Sequence, residues 1–327
     1  MDRYFLPRGI QEIAEKGRID DSSVRLLRTQ IYRDGIVSPD EAETLFWLNE
    51  ACPEGSADWT DFFAQALTDY LVDQTEPAGY VSDEAGEWLA ARILRDGRID
   101  SHTELELLVR LIEQAIGVPQ KLVLFAMGEV RSSVLTGSGP VRDAAVLKPG
   151  VIGDAEVTLL SRMLYGLGSE GNMAVSRLEA ELLFDLNDAI VDAENPQAWA
   201  DLFVKAIANH IMAAPLWTAP SRREAATRDD WLSEREGTFG FMKKMASGSF
   251  VDAIGDLVGG EEPVERDRRD ERIADAEMVT QEEAAWLAER IGRDGKLHEN
   301  EKALLGFLKR EAPHIHPSLK TLIERAA

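Results

Sequence analysis

Residues 37–49 read VSPDEAETLFWLN and residues 175–187 read VSRLEAELLFDLN; the two stretches align without a gap and share nine of thirteen positions. The agreement spreads in both directions. Upstream, IDDSSVRLLRTQIY from Ile19 matches IGDAEVTLLSRMLY from Ile152, and downstream Trp59, Asp61, Phe63 and Ala66 correspond to Trp199, Asp201, Phe203 and Ala206. A further pair, YVSDEAGEWLAARILRDG from Tyr80 and MVTQEEAAWLAERIGRDG from Met278, is identical at ten of eighteen positions. Self-similarity at long offset marks a duplicated unit, so the sequence predicts two homologous halves. The offset rises from 133 at Tyr32/Tyr165 to 140 at Trp59/Trp199 and then steps to 198 at Trp88/Trp286, which places 58 additional residues in the second half.

Within each block apolar residues recur at three and four, as in Val37, Ala42, Leu45 and Leu48, which is the helix period. Ser38 with Glu41, Ser101 with Glu104, Ser176 with Glu179 and Thr280 with Glu283 each fit the capping-box spacing. The expected fold is therefore all-α, two tandem helical bundles of five to six helices each. The first domain is expected over residues 1–135, a Gly- and Pro-rich linker over 136–149, and the second domain over 150–327 with a helical insertion at about 214–277. A weaker repeat runs inside the halves, an acidic-glycine turn ahead of a helix start, at Asp34, Asp96, Glu170 and Asp294. Its glycine suits the positive φ of a helix C′ position.

Composition narrows the function classes. With 36 basic and 59 acidic residues the net charge is −23, which repels nucleic acid and anionic lipid at long range. No apolar run approaches membrane-spanning length; neither an integral membrane segment nor a signal peptide is expected, and peripheral membrane contact is disfavoured. Cys52 is the only cysteine, so no intrachain disulfide forms, and a reduced cytoplasmic setting is expected. No GxSxG, phosphate-loop or dinucleotide fingerprint is present, and a non-enzymatic protein is expected.

The acidic turns fail the EF-hand template, because setting Gly35 at its sixth position puts Gln30 and Tyr32 at ligand positions one and three. Either separate turns converge on one ion, or the acids cap and solvate helix ends. A helical bundle in which a DGxI turn precedes a helix-opening acid resembles the TerB-like family of tellurite-resistance proteins. That resemblance implies a divalent metal held by Asp34, Asp96 and Asp294 with Glu41, Glu104 and Glu301; the third turn departs from it, with Glu170 in place of the aspartate and an insertion. His298, His314 and His316 cluster near the C-terminus but lack HExxH or CxxC spacing.

The insertion contains an apolar stretch from Phe239 to Val258, where Phe239, Met242, Phe250, Ile254 and Leu257 can share one helix face. Such a face packs on its own domain or docks a protein partner. The functional expectation is a cytoplasmic module of a stress response that binds a divalent metal ion or a protein partner, with a metal-independent adaptor using the insert helix and a metal-dependent hydrolase as alternatives.

Overall fold

The computed structural model describes residues 6–93, 99, 101–141, 148–166, 174–212, 281–293, 295–311 and 317–326. Among them the protein is all-α apart from one two-residue strand pair. The elements of the first half are α1 (Arg8–Lys16), β1 (Arg18–Ile19), α2 (Asp21–Ile31), α3 (Pro39–Ala51), β2 (Glu54–Gly55), α4 (Ala57–Thr68), α5 (Asp83–Ile93), α6 (His102–Gln114) and α7 (Gln120–Thr136). Those of the second are α8 (Asp154–Leu164), α9 (Arg177–Ile190), α10 (Gln197–Met212), α11 (Gln281–Arg290), α12 (Glu299–Glu311) and α13 (Pro317–Ala326). The first half has one helix more than its pattern predicts, because α1 precedes the first matched block; it ends at Gly17, whose φ of +66° permits the left-handed stop. No helix among the described residues is long and apolar enough to cross a membrane.

Helix starts follow from local chemistry. Ser38 begins α3 with its hydroxyl accepting from the Glu41 amide while the Glu41 carboxylate accepts from the Ser38 amide, and Pro39 supplies the fixed φ of the first turn. Ser176 and Glu179 repeat the device at α9. Ser101 accepts from the Glu104 amide at α6, Ser56 caps α4, and Asp20 caps α2 through the Ser23 amide at 2.9 Å. Ahead of α3 the turn glycine Gly35 has φ +86°, the conformation its sequence position calls for.

The two halves bury corresponding side chains in corresponding places. α4 packs along α6 and α2, and α10 along α12 and α8. Phe46 meets Phe63 and Trp88 edge to face at ring distances of 5.2 and 5.6 Å; Phe184 meets Phe203 and Trp286 in the same manner at 5.0 and 5.6 Å. Edge-to-face pairs of this kind add roughly 0.5–1.5 kcal/mol each beyond area burial. The halves share one continuous core, joined where α7 packs on α8 and α9 and α6 on α8.

Candidate functional site

Of the glutamates singled out by the acidic turns, Glu41 and Glu301 sit at helix N-termini with their carboxylates turned onto backbone, as does Glu179 of the second half, while Glu104 accepts from the Asn49 side chain. Both Glu41 and Glu179 accept from the amide of their capping serine, at 2.8 and 2.7 Å. Glu301 is buried; one oxygen accepts from the His298 amide at 2.8 Å and the other from the Gly292 amide at 2.9 Å. A fourth glutamate, Glu156, is buried and does the same for Gly153 at α8, a position not legible in the sequence because glycine stands where a serine cap would have announced it. Charge-assisted bonds to helix-end amides hold these carboxylates in place. Asp34 is exposed, and its carboxylate accepts from the Ile36 amide at 3.3 Å within its own turn. Asp96 and Asp294 lie outside the described residues, as do His314, His316, Thr280 and the insertion face of Phe239, Met242, Phe250, Ile254 and Leu257. Among the described residues no group of three or more His, Cys, Asp or Glu stands close enough to hold a metal ion.

Cys52 ends α3, buried, its Sγ 3.7 Å from the Ile13 carbonyl. Burial pushes its thiol up, away from the thiolate that nucleophilic chemistry needs.

A different site emerges where the halves diverge around one shared pair. In the first half Trp59 Nε1 donates to Asn49 Oδ1 at 3.1 Å. Asn49 Nδ2 in turn donates to Ser101 Oγ at 3.3 Å and to Glu104 Oε1 at 3.4 Å. Thr60 and Thr103 hydroxyls bond at 3.0 Å beside it. That network joins α3, α4 and the start of α6, with the Trp59 indole and both protons of the Asn49 amide satisfied.

The corresponding asparagine and tryptophan of the second half are Asn187 on α9 and Trp199 on α10, 1% and 0% exposed. The turn before α12 is one residue shorter than the turn before α6, so His298 precedes α12 where Ser101 precedes α6, and Asn300 occupies the place of Thr103. Thr60 is matched by Ala200. These changes reroute the bonds: Asn187 Oδ1 accepts from Asn300 Nδ2 at 2.8 Å, and the Glu301 carboxylate is spent on the Gly292 and His298 amides. Asn187 Nδ2 and Trp199 Nε1 are left buried without a hydrogen-bond partner. An unmet buried donor costs about 1–3 kcal/mol.

Both residues line a crevice of about 290 Å³ between α9, α10 and the start of α12, walled by Val191, Pro196, Ala200, His298 and Asn300. A second hollow of about 320 Å³, lined by Asp188, Arg293, His298 and Glu301, shares His298 with it. Asn195, also on the crevice wall, is occupied with backbone, accepting from the Ile152 amide and donating to the Ile190 carbonyl. The signal for this site was present in the sequence as an Asn and Trp retained in both halves while Thr60 and Ser101 changed to Ala200 and His298. It could be read only with the helix contacts in hand. Comparison with protein-family models, with curated proteins and with solved structures finds no match to the chain.

Proposed function

We propose that the chain is a non-enzymatic helical binding module, built from two related TerB-like units in tandem, whose interactions do not require a divalent metal ion. The tandem reading is supported by the sequence blocks that supply the same caps and the same aromatic contacts in α3–α4–α5 and α9–α10–α11. The metal-independent reading is carried by one observation: the carboxylates of Glu41 and Glu301 are engaged by backbone amides at the helix starts, so recruiting them to an ion would uncap α3 and α12. Uncapping costs about 1 kcal/mol per helix.

The test is a thermal melt of chelator-stripped protein with calcium, magnesium, manganese or zinc added, run beside the Asp34→Asn, Asp96→Asn, Asp294→Asn variant. No ion-selective change in melting temperature is expected in either protein. An ion that binds the native state adds RT ln(1 + [L]/Kd), about 2.7 kcal/mol at a hundredfold excess over Kd. A shift of that size with one ion, abolished in the variant, would overturn the reading and make the acidic turns a metal site.

A further inference from the structure

We infer that the crevice between α9, α10 and the start of α12 is a binding site for a neutral amide group, a carboxamide or peptide bond on a short apolar stem, received by the indole of Trp199 and the side-chain amide of Asn187. The inference goes beyond the metal-independent reading above, and a metal-dependent shift in the melt would leave it standing.

Three observations converge on it. The buried donors Asn187 Nδ2 and Trp199 Nε1 have no partner, whereas the matching donors of Asn49 and Trp59 are all met inside the first half. On the crevice wall Ala200 and His298 stand where the first half has Thr60, bonded to Thr103, and Ser101, which accepts from Asn49. The wall pairs apolar Val191, Pro196 and Ala200 with the amide of Asn300, a surface that suits an amide with a short hydrocarbon stem.

Charge selects among acceptors. Two N–H donors call for an oxygen acceptor and are the wrong polarity for a cation. A carboxylate or phosphate oxygen would have to enter a chain of net charge −23, against a repulsive long-range field, although the rim carboxylate of Glu299 is itself paired with Lys302 at 2.8 Å. An amide carbonyl meets the donors without carrying charge.

The indole proton is its own reporter. In ¹⁵N-labelled full-length protein the Trp199 indole resonance is identified by its disappearance in Trp199→Phe, and the Trp59 indole serves as the satisfied internal reference. Acetamide, N-acetylglutamine methylamide and acetate are titrated separately into the tens of millimolar, since ligands of so few atoms bind in roughly the millimolar range at best. The expected result is a saturable downfield movement of the Trp199 resonance with an amide probe, no movement of Trp59, and at least about tenfold weaker response to acetate, the equivalent of 1.4 kcal/mol. Saturation at lower concentration by acetamide assigns the site to a free small amide, and by the peptide-like probe to an amide on another polypeptide; either order supports the site.

The Ala200→Thr, His298→Ser variant restores the first-half side chains and is expected to abolish the response while melting within a few degrees of the parent. A Trp199 resonance unmoved by every probe, moved equally by acetate, moved in step with Trp59, or moved undiminished in a folded Ala200→Thr, His298→Ser variant would overturn the assignment.

Discussion

At the scale of single residues, His210 shows how a matched position acquires a different chemistry. Its counterpart is Tyr70, which meets Trp88 edge to face at 5.6 Å; His210 meets Trp286 in the same way at 4.8 Å. The carbonyl of Val175 can only accept, so the bond of 2.8 Å to His210 Nδ1 places the ring proton on that nitrogen. Burial is the largest influence on the ring and lowers its pKa below the usual 6.5, outweighing the Val175 bond and the carboxylates of Glu283 and Glu181, with Arg177 acting in the same direction as burial. The neutral ring is thus the form that folding favours. Its stabilising contribution is complete above about pH 6.5, the unfolded value, and is lost as pH falls toward the folded pKa, at up to about 1.4 kcal/mol per pH unit. Urea midpoints of the wild type and His210→Phe, measured from pH 7.5 to 5, should therefore diverge in slope, with the wild type losing stability faster on acidification. Parallel slopes would show that the ring titrates alike in both states.

At the scale of elements, the caps carry the strongest link from sequence to structure. Ser38 and Ser176 head helices in which the Glu at the third position closes the reciprocal bond, and this was legible because a capping box needs only two residue types at a fixed spacing. Ser38→Ala and Ser176→Ala should each lower unfolding free energy by about 1 kcal/mol. Their effects should add within about 0.5 kcal/mol because they share no partner. Urea unfolding of the two singles and the double, at unchanged m, checks both statements; strong non-additivity would mean that α3 and α9 are coupled through the shared core. What the sequence could not reveal is the second use of such a glutamate. Glu104 and Glu301 occupy the same place in their helices, yet Glu104 accepts from Asn49 while Glu301 accepts from Gly292. The two starts differ in sequence by one residue between the turn glycine and the helix, and their outcome lies in tertiary contacts with α3 and α9. Spacing alone, on which the family resemblance rests, does not distinguish a carboxylate directed at a cation from one directed at helix amides or at a neighbouring side chain.

At the scale of the whole molecule, the two halves are held by a junction that neither half's internal pattern announces. Arg162 on α8 reaches across to α6 with both arms of its guanidinium, at 2.7–2.8 Å to Glu106 and at 2.7–2.8 Å to Glu113. Beside it, Gly166 lies against α6 so closely that a Cβ would fall 2.5 Å from the Ile112 carbonyl oxygen. Gly166 is therefore a contact of backbone with backbone. Arg162→Met leaves two carboxylates facing α8 without their cation and should cost about 2 kcal/mol, less than the about 3–5 kcal/mol of a fully buried pair because the side chains are partly exposed. Adding Glu106→Gln and Glu113→Gln to it should recover much of that loss, since the penalty lies in the stranded charges more than in the missing contact. Gly166→Ala must displace the α6 or α8 backbone and should cost at least as much. Because both substitutions loosen the same junction, the Arg162→Met, Gly166→Ala double variant should lose clearly less than the two single losses added together, by about 0.5 kcal/mol or more. Equilibrium unfolding of the four proteins in a double-mutant cycle measures that coupling directly. A coupling of zero would mean that the ion cluster and the glycine contact hold the junction independently of one another.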